Sequence, residues 1–190
     1  TGTEIPVSGC RFEVIGPDGD SVGVFVTDGD GRIEIPLKKS GNYTVIERDA
    51  ASHYVISEEP AQNVTVVYDE VAEVTFFNDP YGTLRIEKRS NTGQKLQGAV
   101  ITIEHIESGQ TFTQETSSAG VAIFDEIPLG AYRIQEETAP VGWQLDDTVY
   151  TATVVAGETT TIPIINEELP GLRIIKYDRK NMVAMPDVTF

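Results

Sequence analysis

Short runs along this chain put an apolar residue at every second position. "RFEVIG" (11–16), "VGVFVTD" (22–28), "RIEIPL" (32–37), "YTVIE" (43–47), "NVTVVYD" (63–69) and "AEVTFFN" (72–78) all read this way. A period of two is the mark of a strand with one buried face. Turn-forming clusters such as "GPDGD", "DGDG" and "KKSGN" separate the runs, and no segment shows a helical period. The pattern predicts an all-β chain of Ig-like β-sandwiches.

The pattern also repeats. "VSGCRFEVIG" is answered by "LQGAVITIEH", "SGNYTVIERDA" by "LGAYRIQEETA", and "VTFFNDPYG" by "IPIINEELPG". These matches pair Gly9 with Gly98, Tyr43 with Tyr132, Glu47 with Glu136, and Asn78 with Asn166, at offsets of 88 or 89 residues. "LRIEK" at Leu84 returns as "LRIIK" at Leu172. A unit of this length is too long for a solenoid repeat and fits a small sandwich domain. Tandem domains follow, joined at "DPYG" and "ELPG", linkers short enough to limit swing. Residues 1–79 read as a unit lacking its first, lysine-bearing strand. Residues 80–169 read as a complete unit, and residues 170–190 as the first strand of a third, so the chain reads as part of a longer array.

Alternation assigns faces within the complete unit. Leu84, Ile86 and Lys88 share a face, as do Tyr132, Ile134 and Glu136, and Ile162, Ile164 and Asn166. The apolar members mark each face as inward. Each inward row therefore ends in one polar residue: a lysine, a glutamate and an asparagine. The first unit carries two of these three rows, Tyr43–Val45–Glu47 and Val74–Phe76–Asn78. Buried Lys, Glu and Asn are costly unless they satisfy one another. Two readings stay open on spacing alone. One is a structural ion pair with an asparagine hydrogen bond at the end of the sandwich. The other is chemical. Apolar burial lowers a lysine pKa and raises a glutamate pKa, so the proton moves to the carboxyl and leaves a nucleophilic amine. Attack on the asparagine Cγ would expel ammonia and leave an isopeptide cross-link, favoured by the effective molarity of groups held in contact.

The ordered set "LRIEK", "LQGAVITI", "GAYRIQEETAPVGW" and a closing "IIN" resembles the collagen-adhesin B-type (Cna-B-like, SpaA-like prealbumin-type) domain of Gram-positive surface proteins and pilins. Tyr132, Glu136, Pro140 and Gly142 fall at the signature's fixed spacings, with Trp143 in its final aromatic place. The resemblance covers essentially the whole chain. It implies a spontaneous lysine–asparagine isopeptide bond with the glutamate as catalytic acid. By position, that makes Lys88 the nucleophile, Asn166 the acceptor and Glu136 the proton shuttle, and Glu47 the corresponding acid of the first unit. It also implies an extracellular, cell-wall-anchored protein of a Gram-positive bacterium. The first unit departs from the signature: "ERDAASHY" stands where "A-P-x-G-Y" is expected, and Asp187 replaces the glycine of the third. No "LPxTG" sorting signal or "YPK" pilin motif occurs.

Glu47 and Asn78 thus have no lysine in their own unit, because Lys38 and Lys39 flank a turn, while Lys176 has neither acid nor amide beside it. Two readings stay open here: strand complementation, in which the tail of one chain fills the first unit of the next and sets Lys176 against Glu47 and Asn78, and an arbitrary boundary of the sequence with no such contact. Such a head-to-tail contact propagates.

Composition removes several alternatives. Of 190 residues, 30 are acidic and 14 basic, for a net charge of −16, which disfavours nucleic acid and anionic membrane as partners. No apolar run of spanning length and no leader pattern occurs, so the segment reads as soluble. Cys10 is the single cysteine and alternates in phase with Phe12 and Val14, which suits a core residue. His53 and His105 lack metal-ligand partners, and "DGDGR" lacks the remaining ligands of a calcium loop, so no metal and no cofactor is expected. No constellation for a turnover enzyme emerges. The reading is a mechanical stalk of an adhesin or pilin-like protein. Its partners are adjacent repeats of the same protein. The alternative is a host-ligand-binding adhesin module, whose ligand the sequence does not name.

Overall fold

A computed structural model describes residues 5–172, 174–177 and 180. Among them no helix occurs, and the chain is all-β. Four strands lie in the first part: β1 (Arg11–Ile15), β2 (Ser21–Val26), β3 (Gly41–Asp49) and β4 (Ala61–Val66). They form one antiparallel sheet of order β2-β1-β3-β4. Seven follow: β5 (Gly82–Ser90), β6 (Val100–His105), β7 (Thr111–Glu115), β8 (Val121–Ile127), β9 (Gly130–Thr138), β10 (Tyr150–Val154) and β11 (Thr159–Asn166). These form two sheets, β10-β9-β6-β7 and β11-β5-β8.

The two sheets enclose one core. Leu84 and Ile86 of β5, Phe124 of β8 and Ile164 of β11 cluster with Ile101 and Ile103 of β6 and Tyr132 and Ile134 of β9. Strand β5 is central in its sheet, bonded to β11 in parallel and to β8 in antiparallel register. Its inward row, Leu84–Ile86–Lys88, is therefore sealed on both flanks. Its outward row is charged, with Glu87 paired to Arg85 and to Arg89. One strand thus separates core from solvent by parity alone.

The first part differs from the expectation. Segments "RIEIPL" and "AEVTFFN", which alternate like strands, form none. Their counterparts in the second part are β8 and β11, and those bond to β5 but not to each other. Among the described residues no strand lies between the two segments, so they have no ladder to join, because strand pairing needs a backbone partner as well as a favourable face. Of the segment 170–190 read as a third first strand, residues 173, 178–179 and 181–190 lie outside the described residues. Leu172, Ile174 and Lys176 are exposed and belong to no strand.

Candidate functional site

Lys88, Glu136 and Asn166 converge at one end of the second core. The register explains how. On the parallel pair β5–β11, Ile164 lies opposite Lys88 and Asn166 opposite Ser90. Both side chains point inward, so the lysine stem reaches forward along its strand to the asparagine. Glu136 ends the inward row of β9, the central strand of the facing sheet flanked by β6 and β10. Lys88 is fully buried, and Glu136 and Asn166 are each only 1% exposed.

The contacts form a closed triangle. Lys88 Nζ touches Asn166 Oδ1 and lies 3.1 Å from Glu136 Oε1. Asn166 Nδ2 donates to Glu136 Oε1 at 3.1 Å and to Oε2 at 3.0 Å. The one carboxyl group thus contacts both nitrogens, with the asparagine amide between them. Burial pushes the Lys88 amine below its ordinary value, against the opposing pull of Glu136 and, more weakly, Asp146. Loss of hydration dominates because an ammonium leaves more solvation behind than one buried partner restores.

Two supports were not visible in the sequence. The backbone N–H of Asp146 donates to Glu136 Oε2 at 2.9 Å, and the Asp146 carboxylate accepts from Tyr150 Oη at 2.7 Å. Gly120, at φ +68°, crosses β5 so closely that an added Cβ would lie 2.6 Å from the Lys88 carbonyl oxygen. Lys88 N–H donates to the Gly120 carbonyl at 2.7 Å. The first support is a main-chain contact, which demands no residue type. The 89-residue offset from Ser57 to Asp146 is the one signal that could have found it.

The first unit holds the same arrangement without its lysine. Asn78 Nδ2 donates to Glu47 Oε1 at 2.8 Å and to the Val55 carbonyl at 3.0 Å. Ser57 N–H donates to Glu47 Oε2 at 2.9 Å, as Asp146 does to Glu136. Glu47 is 2% exposed. Cys10, buried as its phase predicts, points Sγ at Asn78 Oδ1 across 3.8 Å. Lys39 is tied to Asp18 at 2.6 Å on the surface, and Lys176 is not brought to the site within this chain. No metal-binding group of His, Cys, Asp or Glu occurs among the described residues.

The family model described as SpaA, prealbumin-like fold domain, matches residues 1–80 and again 82–168. The chain belongs to the SpaA prealbumin-like fold family. No protein with a curated description matches it. Among solved structures, this SpaA-family chain is similar to the shaft pilin SpaA of Lactobacillus rhamnosus GG, at 12% identity and TM-score 0.50, covering 88% of this chain and 90% of that one. A streptococcal ancillary pilin matches at 20% identity and TM-score 0.49, over 87% of this chain and 59% of its own length. The Bacillus anthracis TIE protein matches at 21% identity and TM-score 0.46, with this chain spanning 35% of it. At these identities the likeness is one of fold.

Proposed function

We propose that the second unit is a stalk module closed by an autocatalytic isopeptide bond between Lys88 and Asn166, with Glu136 as proton shuttle. The observation that carries this is the triangle itself: one buried carboxyl group within 3.1 Å of both the lysine nitrogen and the asparagine amide nitrogen. The neutral amine attacks Asn166 Cγ, and the C–Nδ2 bond breaks. One proton passes from Nζ through the Glu136 carboxyl to Nδ2, which leaves as ammonia. Exclusion of water favours this attack over hydrolysis. The product is the protein itself, so the reaction occurs once and is not turnover catalysis.

The mechanical consequence follows from topology. Strands β5 and β11 are the first and last of the unit and run parallel. A bond between them carries tension from the entering strand to the leaving strand, past every backbone ladder in between. This suits a structural, pilin-like or adhesin stalk outside a Gram-positive cell wall, linked to adjacent repeats of the same protein. Lys176 and Asn78 complete the reading as the pair that would join neighbouring chains head to tail.

Intact mass spectrometry tests the bond. The wild-type chain should be lighter than its sequence by one ammonia, and Lys88→Ala or Glu136→Ala should restore the full mass. A wild-type chain at unmodified mass would leave only a buried ion pair.

A further inference from the structure

The two carboxyl oxygens of Glu136 have different neighbours. Oε1 lies 3.1 Å from Lys88 Nζ and 3.1 Å from Asn166 Nδ2. Oε2 accepts from Asn166 Nδ2 at 3.0 Å and from the Asp146 N–H at 2.9 Å. A carboxyl group turns about its last bond unless something holds it. The Asp146 N–H supplies that hold, because a peptide donor is fixed by the backbone on either side.

The N–H is aimed by the side chain of its own residue. Asp146 Oδ1 accepts from the Thr148 N–H at 3.0 Å, which closes an Asx turn. Asp146 Oδ2 accepts from Tyr150 Oη at 2.7 Å, and Tyr150 opens β10. The loop is thus fastened to β10 on one side and to Glu136 of β9 on the other. Burial pushes the Asp146 carboxyl up, but the donors of Thr148 and Tyr150, and then the charge of Lys88, outweigh it and hold the group below its ordinary value. Burial, and next the bond to Asp146, push the Tyr150 hydroxyl up to about 12. Donor and acceptor therefore keep these roles around neutral pH.

The first unit builds the same turn from a different residue. Ser57 N–H donates to Glu47 Oε2 at 2.9 Å, and Ser57 Oγ accepts from the Glu59 N–H at 3.2 Å. Ser57 and Glu59 stand 89 residues before Asp146 and Thr148. Aspartate and serine have in common a short side chain that ends in an acceptor oxygen. The tyrosine is not shared: Gln62, opposite Val45 as Tyr150 is opposite Ile134, donates to the Thr75 carbonyl instead. What the two units share is the turn and the N–H it aims, not the charge of the residue that makes it.

We propose that Asp146 is a positioning residue for the cross-linking reaction: its turn pins Glu136 Oε2 to the main chain and leaves Oε1 as the one oxygen that carries the proton between Lys88 and Asn166. This role rests on the Lys88–Asn166 chemistry proposed for the second unit. A main-chain donor on Oε2 favours negative charge there, so the proton given up by the lysine resides on Oε1. Oε1 hands that proton to Nδ2 as the Cγ–Nδ2 bond breaks and ammonia departs. It takes one back from Nζ as the Nζ–Cγ bond forms. Both transfers use an oxygen already beside both nitrogens, so the carboxyl need not rotate between them.

The test makes the full chain in a cell-free system and reads its intact mass at intervals as ammonia is lost. Asp146→Ala keeps the peptide N–H but deletes the turn and the tie to Tyr150. Its loss of ammonia should be slower by up to about 100-fold, the scale expected when a reacting group is misplaced. Asp146→Ser rebuilds the turn that Ser57 makes and should return the rate close to that of wild type. Hydrogen exchange at the residue-146 amide reads the positioning directly: it should be slow in wild type and in Asp146→Ser, and faster in Asp146→Ala. A wild-type chain that keeps its full mass overturns the cross-link and this role with it. A wild-type chain that loses ammonia, while Asp146→Ala loses it equally fast, overturns the role alone. An Asp146→Ser chain as slow as Asp146→Ala overturns it as well.

Discussion

Asn166 touches Lys88 with its amide oxygen and Glu136 with its amide nitrogen, the latter at 3.0 Å. In the cross-linking reaction proposed above, nucleophile and proton shuttle would act on opposite ends of one planar group. That placement keeps the amide nitrogen within reach of a proton from the carboxyl.

Removing the shuttle should uncouple fold from bond. Glu136→Gln keeps the size and one acceptor oxygen but cannot relay a proton. The variant should stay at full mass. If the link acts as a disulfide does, closing a loop of 78 residues contributes about 4.5 kcal/mol in the chain-entropy treatment. Chemical denaturation of wild type against the variant measures the loss, which includes the cost of leaving Lys88 poorly paired.

The rate of bond formation should rise with pH. Burial depresses the Lys88 pKa from 10.5, so the neutral amine appears at lower pH than on a free lysine. Refolding the chain and following the mass with time should give a rate increasing through a midpoint below 10.5. The sign for stability agrees. In Asn166→Ala, which cannot cross-link, the unfolded state binds the Lys88 proton more tightly than the folded state. Stability from this group therefore rises with pH between its folded pKa and 10.5. A rate indifferent to pH would mean that the amine gives up its proton to Glu136 rather than to solvent.

Gly120→Ala should disturb the site without touching its chemistry. The new Cβ would meet the Lys88 carbonyl oxygen at 2.6 Å, at a backbone φ of +68°. A loss of about 1–3 kcal/mol is expected from strain of this kind, together with slower bond formation because β5 must shift. Thermal melting and a mass time course check both.

Thr116→Val should be costly although it is nearly isosteric. The buried Thr116 Oγ1 accepts from Ala99 N–H at 3.0 Å and donates to the Leu96 carbonyl at 2.8 Å. Valine leaves both main-chain groups unpaired under the sheet, worth about 1–3 kcal/mol per group. Denaturant unfolding of the variant measures it, and bond formation should persist, since Thr116 makes no contact with the trio.

Every inward row that carries the site was legible as alternation: Leu84–Ile86–Lys88, Tyr132–Ile134–Glu136 and Ile162–Ile164–Asn166. So was the repeat that pairs Glu47 with Glu136 and Asn78 with Asn166. The Asp146 N–H and the Gly120 crossing were not legible, because one is a main-chain contact and the other a close approach between residues far apart in sequence. "RIEIPL" and "AEVTFFN" misled in the opposite direction. Their alternation names a buried face correctly, yet they form no strand.

The reason is the same in each case. Parity along a strand is a local property, set by the pleat, and two adjacent side chains suffice to reveal it. The sequence alone therefore determined which residues face inward, and that a lysine, a glutamate and an asparagine end their rows. Which rows meet depends on which strands share hydrogen bonds, and those partners are separated by dozens of residues. Only the tertiary structure decided that β5 lies between β11 and β8, that Lys88 is sealed from water there, and that Glu47 and Asn78 of the first unit are joined by a hydrogen bond.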